Sequence, residues 1–423
     1  MERTEEELRI KILTTEPFPI GLAATNRIMT YAKGFAEQHC QVSVHCIKPT
    51  ERPGTIFNYL SSGTTDGIYY SYSGGKTILH RRFFNRRIDN LVGIVKIAYE
   101  LLKEKKSNKT DVIIYYSELT VPAIILYLIT RIKHILFLKE ESEIPEVYLG
   151  SMNLVERILF RKFHYSLFDG LLLMTTRLIH YFKIEKKSNT PLLHVPMTVN
   201  FSRFSQIIKT NDKAVQYIAY CGALNDKKDG INILIEAFAR LAGEFPDIKL
   251  YLIGEASTLR EYNQYINQVK FHELSHRVVF TGRVNKDKIP QLLANATVLV
   301  LPRPVSRQAE VGFPTKLGEY LSTGQPVVVT KVGEIPHYLT DEVNAFMAEP
   351  GNVASLAAKL KCVLTDYRHA ETIGENGKKA AMEFFNYKTQ TKNILTFIKS
   401  FRNIQISDAT SVKFSSAGVS DKR

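Results

Sequence analysis

From Ile10 onward the chain alternates short β-branched or apolar runs with longer amphipathic stretches, the pattern of a parallel sheet covered by helices. Ile10–Thr14 reads as the first strand. It is followed by the loop EPFPIGLAATN, an amphipathic helix over about Arg27–Gln38 and a strand at Val42–Cys46. Further strands are expected at Asp111–Tyr115, His134–Leu138 and Gly170–Met174, with helices filling the intervals. A clearer second round opens at Val215: strand VQYIAY, loop CGALNDKKDG, helix INILIEAFARLA, strand IKLYLIG, helix LREYNQYINQVKF, strand RVVFTG, helix KIPQLLANA and strand TVLVLP. This repeated βαβ order predicts a Rossmann-like unit. Between the rounds SRFSQIIKTNDK is polar and aperiodic, so a boundary is expected near Phe204–Lys213, dividing the chain into domains 1–205 and 206–385. A last helical pattern, Thr389–Phe401 within 386–402, is positioned to pack back across the junction, and 403–423 reads as a loose polar tail.

Length agrees with this division, since 423 residues exceed one ordinary core. Apolar residues at 44% and charged residues at 23% supply two real cores and argue against global disorder. The longest apolar run, Val121–Leu138, is broken by Arg131, Lys133 and His134 and is too interrupted for a membrane span. The start, MERTEEELRIKILTT, has acidic residues where a secretory signal has a basic patch, so a cytoplasmic location is expected. Cys40, Cys46, Cys221 and Cys362 have no ligand spacing, which predicts neither a metal site nor a disulfide framework.

The formal charge of +14 calls for an anionic partner: nucleic acid, an acidic membrane leaflet or a phosphorylated small molecule. A nucleic-acid-binding protein is disfavoured by the lack of tryptophan and of any recognisable binding module. Two stretches suit an anionic membrane surface. In Arg81–Lys106, Arg81, Arg82, Arg86, Arg87, Lys96, Lys103, Lys105 and Lys106 surround a stripe of Ile88, Leu91, Val95 and Leu102. From Met152, Arg157, Arg161 and Lys162 lie beside Leu154, Ile158 and Leu159. The alternative is that both stripes pack onto the first sheet and the charges are merely solvated.

The segment richest in chemistry is RQAEVGFPTKLGEYLSTGQPVVVT, Arg307–Thr330. Pro314 and Thr315 read as a helix start, Gly324 as its stop and Val327–Thr330 as the next strand. A helix beginning behind the Gly312-Phe313-Pro314 loop turns free backbone N–H groups toward a crevice, a site for phosphate. Glu319 lies one turn from Thr315 on the same face, where its carboxylate can accept two vicinal hydroxyls, as on a ribose. The second segment is YCGALNDKKDGINILIEAF, Tyr220–Phe238. Gly222 allows a tight turn, and Lys227 and Lys228 precede a helix whose inward stripe is Ile231, Leu234, Ile235 and Phe238. A lysine there can reach a diphosphate; a solvated Lys-Lys-Asp turn is the plain alternative.

GALNDKKDG with LIEAF, then VVFTGRV, then GFPTKLGEY with GQPVVV, resemble in order and spacing the motifs of retaining glycosyltransferases of family 4. The subgroup resembled carries a GFPTKLxEY donor motif. IGLAATNR, FDGLLLMT and PMTVNFSRF extend a weaker similarity over the first half. The resemblance implies a GT-B fold: two α/β Rossmann-like domains facing a cleft, acceptor on the first and nucleotide sugar on the second. By position, Lys228 matches the diphosphate-binding lysine, Glu319 the ribose-holding second glutamate of the paired-glutamate motif, and Phe280–Val284, with Gly282 and Arg283, the segment meeting the nucleobase. Gly222, Gly312, Phe313, Pro314, Thr315 and Lys316 complete the expected donor site. Two departures stand out. The arginine that usually follows the motif glycine is Ala223, and the first motif glutamate falls on Val311, with Glu310 adjacent. Lys316 or Arg303 is positioned to restore the lost charge.

The resemblance further implies transfer with retention, without metal or cofactor, from a UDP- or GDP-type sugar to a glycan or lipid-linked acceptor in cell-surface polysaccharide synthesis, peripheral to the inner membrane face. Gly21, Asn26, Glu143 and His180 are the acceptor-side candidates. KEESEIPE, Lys139–Glu146, follows a strand, and its Glu141 and Glu143 also invite a glycosidase reading that nothing else supports. A sugar-nucleotide 2-epimerase of the same architecture is the nearest enzymatic alternative; it requires an acid–base cluster that the sequence does not assemble.

Overall fold

A computed structural model describes residues 7–150, 152–205, 207 and 216–415. The first round of alternation folds as β1 (Arg9–Thr14), α1 (Ala23–Ala36), β2 (Gln41–Cys46), β3 (Ser62–Thr65), β4 (Ile68–Tyr72), α2 (Phe83–Lys103), β5 (Val112–Tyr116) and α3 (Thr120–Lys133). It continues through β6 (Leu136–Glu141), α4 (Glu146–Leu149), α5 (Leu154–Phe163), β7 (Gly170–Leu173), α6 (Thr176–His180) and β8 (Leu192–His194). These strands form one eight-stranded sheet in the order β3-β4-β2-β1-β5-β6-β7-β8, parallel except for the β3–β4 pair. The central strands are buried along almost their whole length, as in a sheet covered on both faces.

The second round begins with the linker helix α7 (Ser202–Ser205) and gives β9 (Tyr217–Cys221), α8 (Asp226–Asp229), α9 (Ile231–Leu241), β10 (Lys249–Ile253), α10 (Leu259–Phe271), β11 (Val278–Gly282) and α11 (Ile289–Ala294). Then come β12 (Val298–Leu301), α12 (Arg307–Val311), α13 (Thr315–Ser322), β13 (Val327–Thr330), α14 (Ile335–Tyr338), β14 (Phe346–Ala348), α15 (Val353–Thr365), α16 (Tyr367–Phe384) and α17 (Tyr387–Ser415). Its sheet is parallel throughout, in the order β11-β10-β9-β12-β13-β14. The α9 stripe of Ile231, Leu234, Ile235 and Phe238 is fully buried in that domain's core. The two sheets with their flanking helices are the two Rossmann-like layers of the GT-B architecture.

Three sequence expectations are corrected. The strand expected from His134 starts at Leu136, because His134 closes α3 in the left-handed conformation, φ 50°. That strand runs on to Glu141, so Lys139, Glu140 and Glu141 are buried strand residues rather than loop residues. The helix expected to end at Phe401 continues to Ser415, since no Gly or Pro stops it; of the expected loose tail, 416–423 lie outside the described residues. Most of the expected boundary, residues 206 and 208–213, also lies outside them.

Helix α17 returns to the first domain. Ile394, Leu395 and Ile398 join a buried cluster with Ile28, Tyr31 and Phe35. Gly34 of α1 lies against Thr391, and the Tyr387 hydroxyl donates to Glu37 Oε1 at 2.6 Å.

Candidate functional site

In an open parallel sheet the loops leaving the C-terminal edge part where the strand order reverses, and a crevice opens there. In the second sheet that point lies between β9 and β12. The loop after β9 holds Gly222 and leads into α8; the loop after β12 holds Arg303 and leads through α12 to α13. Topology therefore brings the two sequence segments to one crevice.

Asn225 caps α8 by accepting from the Lys228 amide at 2.9 Å. This leaves the Lys228 side chain exposed, with no ion pair among the described residues. Asp229 is the opposite case. Although the sequence suggested a solvated turn, it is 1% exposed, and its Oδ2 accepts from Tyr220 Oη and from Lys316 Nζ, both at 2.8 Å. Lys316 Nζ also donates to Tyr220 Oη at 2.7 Å. Burial lowers the Lys316 pKa, with Asp229 opposing the shift. Gly222 makes room for this arrangement: its φ is +151°, and a Cβ there would lie 2.7 Å from Lys316 Nζ. Lys316 is thus committed to Asp229 and Tyr220.

Helix α13 starts after Pro314 without a side-chain cap, so its first amides remain available to a ligand. Glu319, one turn on, accepts from Arg203 Nη1 of α7 at 2.7 Å. Phe313, expected in the donor site, has its ring buried against Tyr338 and Phe385, at centroid distances of 5.4 and 5.3 Å. Pro314 is likewise buried, and Thr315 is partly exposed at the helix start. Gly282, φ +63°, faces open space. Arg283 stacks across the cleft on Phe57 of the first domain, 3.5 Å from the ring centroid.

Glu310 is exposed on α12, and its side chain makes no hydrogen bond or ion pair among the described residues. Val311 is buried, and its carbonyl accepts from Thr175 Oγ1 of the first domain at 2.8 Å. Arg303 is 2% exposed, and its Nε and Nη1 have no partner. Burial lowers its pKa, opposed by Asp229 and Glu143 beyond ion-pair distance.

The first domain contributes Glu143. Its Oε1 accepts from Gln308 Nε2 at 3.1 Å, whereas Oε2 is buried without a partner. Gly312 admits it, since a Cβ there would lie 3.1 Å from Oε2. Burial raises the Glu143 pKa; the Gln308 bond, Lys228 and Arg303 oppose the shift. Glu141 does not join it, being fully buried with Lys139 at 3.3 Å and the Tyr165 hydroxyl at 2.7 Å. Gly21 sits in the turn before α1, against Thr25, and Asn26 Oδ1 accepts from Lys286 Nζ of the second domain at 2.8 Å. His180 is not brought in: it is exposed at the end of α6, with Nδ1 3.0 Å from Arg177 Nη1 and 3.6 Å from Glu185.

Sequence reasoning missed Arg203, Asp229, Tyr220, Gln308 and Glu334. Glu334 is buried and accepts from Thr176 Oγ1 and, at 3.0 Å, from the Arg177 amide, latching the two domains. Asp229 had a signal in the KKDG turn; the others act only through tertiary contacts. No group of three or more His, Cys, Asp or Glu side chains suited to a metal ion occurs among the described residues.

Residues 202–380 match the family model described as glycosyl transferases group 1, so the chain carries a domain of that group. An uncharacterised glycosyltransferase of Methanocaldococcus jannaschii is 29% identical over 202 residues, 48% of this chain and 48% of that protein. The N-acetyl-alpha-D-glucosaminyl L-malate synthase of Bacillus anthracis is 27% identical over 152 residues, 36% of this chain and 37% of that protein. The match spans about half the length, or less, of these curated relatives. The fold is similar to sucrose-phosphate synthase from Thermosynechococcus elongatus, with TM-score 0.73, 15% identity, and coverage of 94% of this chain and 100% of that one. It is also similar to Anabaena HepE in complex with UDP, with TM-score 0.67, 16% identity, and coverage of 93% and 100%.

Proposed function

We propose that the chain is a retaining, metal-independent glycosyltransferase that moves a sugar from a UDP- or GDP-type nucleoside-diphosphate sugar to a glycan or lipid-linked acceptor in cell-surface polysaccharide synthesis. The observation that carries this reading is the β9/β12 crevice, where the cations Lys228 and Arg303 lack ion-pair partners among the described residues and the uncapped start of α13 lies near Glu319. Positive charge and backbone amides suit a diphosphate; a carboxylate one helical turn away suits a ribose. The UDP bound to the similarly folded Anabaena protein supports the same ligand class.

In transfer, the bond from the sugar's anomeric carbon to the β-phosphate oxygen breaks and a bond to the acceptor hydroxyl oxygen forms on the same face. The acceptor proton passes to the departing diphosphate. Charge develops on that diphosphate, so fixed cations and helix amides lower the barrier directly. Glu143 faces this point from the first domain, on the side assigned to the acceptor.

Release of nucleoside diphosphate from UDP- and GDP-sugars tests the reading. Lys228→Ala should lose activity by about two orders of magnitude or more while remaining folded, and EDTA should leave the wild type active. Near-wild-type turnover in the variant would remove Lys228 from the site; loss in EDTA restored by manganese would remove the metal-independent mechanism.

A further inference from the structure

Arg303 is a buried cation held ready by the fold. Its guanidinium follows β12 at the switch point, and the side chain is only 2% exposed. Nε and Nη1 are both buried and donate to nothing. Its carbonyl is fixed by Thr330 Oγ1 at 2.7 Å, which tethers the residue to the next strand. Burying a cation without a partner costs several kcal/mol, so a fold that keeps one there requires a compensating interaction. Neither nearby carboxylate pairs with it: Asp229 Oδ2 is taken by Lys316 and Tyr220 and Glu143 Oε1 by Gln308, while Asp229 Oδ1 and Glu143 Oε2 are buried without a partner of their own. Both carboxylates nevertheless act on Arg303 electrostatically, Asp229 from the second domain and Glu143 from the first.

Position 223 is alanine, and Lys316 is committed to Asp229. Lys228, its exposed neighbour Lys227 and the buried Arg303 are therefore the cations of the two crevice loops that have no ion-pair partner among the described residues. Lys228 is exposed whereas Arg303 is buried, and both act electrostatically on Glu143 of the opposite domain. Glu319, the residue suited to a ribose, lies on α13 beside the linker Arg203.

We infer that Arg303 binds the distal phosphate of the donor, the one bonded to the sugar, and that Lys228 and Arg303 clamp it from two sides. The inference rests on the donor-site reading above. A guanidinium suits this task because it presents parallel N–H donors to two phosphate oxygens. Lys316 then serves as a positioning residue, holding Asp229 and Tyr220 in place under Gly222.

The test uses the full chain and Arg303→Gln, with binding of UDP, GDP, UMP and GMP measured by titration calorimetry and thermal melting. The variant should bind the preferred nucleoside diphosphate about 10- to 100-fold more weakly, the loss of one charge-assisted contact, with monophosphate affinity within about threefold of wild type. Its melting temperature without nucleotide should equal or exceed that of the wild type, because a buried unpaired charge has been removed. Arg303→Lys should recover part of the diphosphate affinity. Equal weakening toward mono- and diphosphates, or a lower melting temperature with unchanged diphosphate affinity, would overturn the assignment and leave Arg303 structural. A wild type that binds none of the four nucleotides would overturn the donor-site reading itself, and this inference with it.

Discussion

Glu319 and Lys228 stand in different states, which separates their expected effects. The Glu319 carboxylate already holds Arg203 at 2.7 Å, so a ribose must share or displace that guanidinium. The pair is partly exposed and contributes at most about 1 kcal/mol to stability. Glu319→Ala should therefore melt within about 2 °C of the wild type while binding UDP or GDP about 10- to 100-fold more weakly. Unchanged nucleotide affinity would sink the ribose assignment. The placement of Lys228 and Glu319 on short helices at the crevice was legible in the sequence because Gly or Pro marks each helix. Arg203, Tyr220 and Glu334 were not, since their partners lie 116, 96 and 158 residues away in the chain.

At the scale of elements, legibility followed period and length. Helix α10 and strand β13 match their expected spans, because an amphipathic repeat or a β-branched run bounded by turn residues marks both ends. The short strands β3, β8 and β14 carry too few residues to show a period. Helices α2 and α5 present the case where sequence left two readings open. The inward face of α2 is Ile94, Ile97, Ala98 and Leu101, whereas Ile88, Leu91, Val95 and Leu102 are 45%, 57%, 55% and 45% exposed. On α5, Leu154 and Ile158 are exposed as well. The α2 stripe therefore does not pack onto the sheet, and of the α5 stripe only Leu159 is half-buried; the exposed Arg81, Arg82, Arg86 and Arg87 flank the stripe on α2. Apolar side chains ringed by cations suit an anionic bilayer, each surface cation contributing roughly 1 kcal/mol. Co-sedimentation should show binding to anionic vesicles that weakens with salt and falls when those four arginines are replaced by glutamine. Equal binding to neutral and anionic vesicles, or none to either, would favour a soluble acceptor.

The whole molecule is organised so that two sheets present their C-terminal edges across one cleft. The latch of Thr175, Thr176 and Arg177 on Val311 and Glu334, and the return of α17 onto α1, hold the domains together. No helix among the described residues is long and apolar enough to cross a membrane. The alternation of strands and helices made the two-domain plan legible, and the motif order made the second domain's crevice legible. The contacts between domains were not, because they depend on how two separately formed surfaces meet. The central claim is that this crevice is built for a nucleoside diphosphate, and a thermal-melting panel of the full chain with UDP, GDP, ADP and their sugars tests it most directly. A ligand that binds only the folded state adds about 2.7 kcal/mol at a hundred times its Kd. UDP or GDP should raise the melting temperature progressively with concentration, by about a degree or more, in the presence of EDTA. No shift with any of these nucleotides at millimolar concentration would contradict the account.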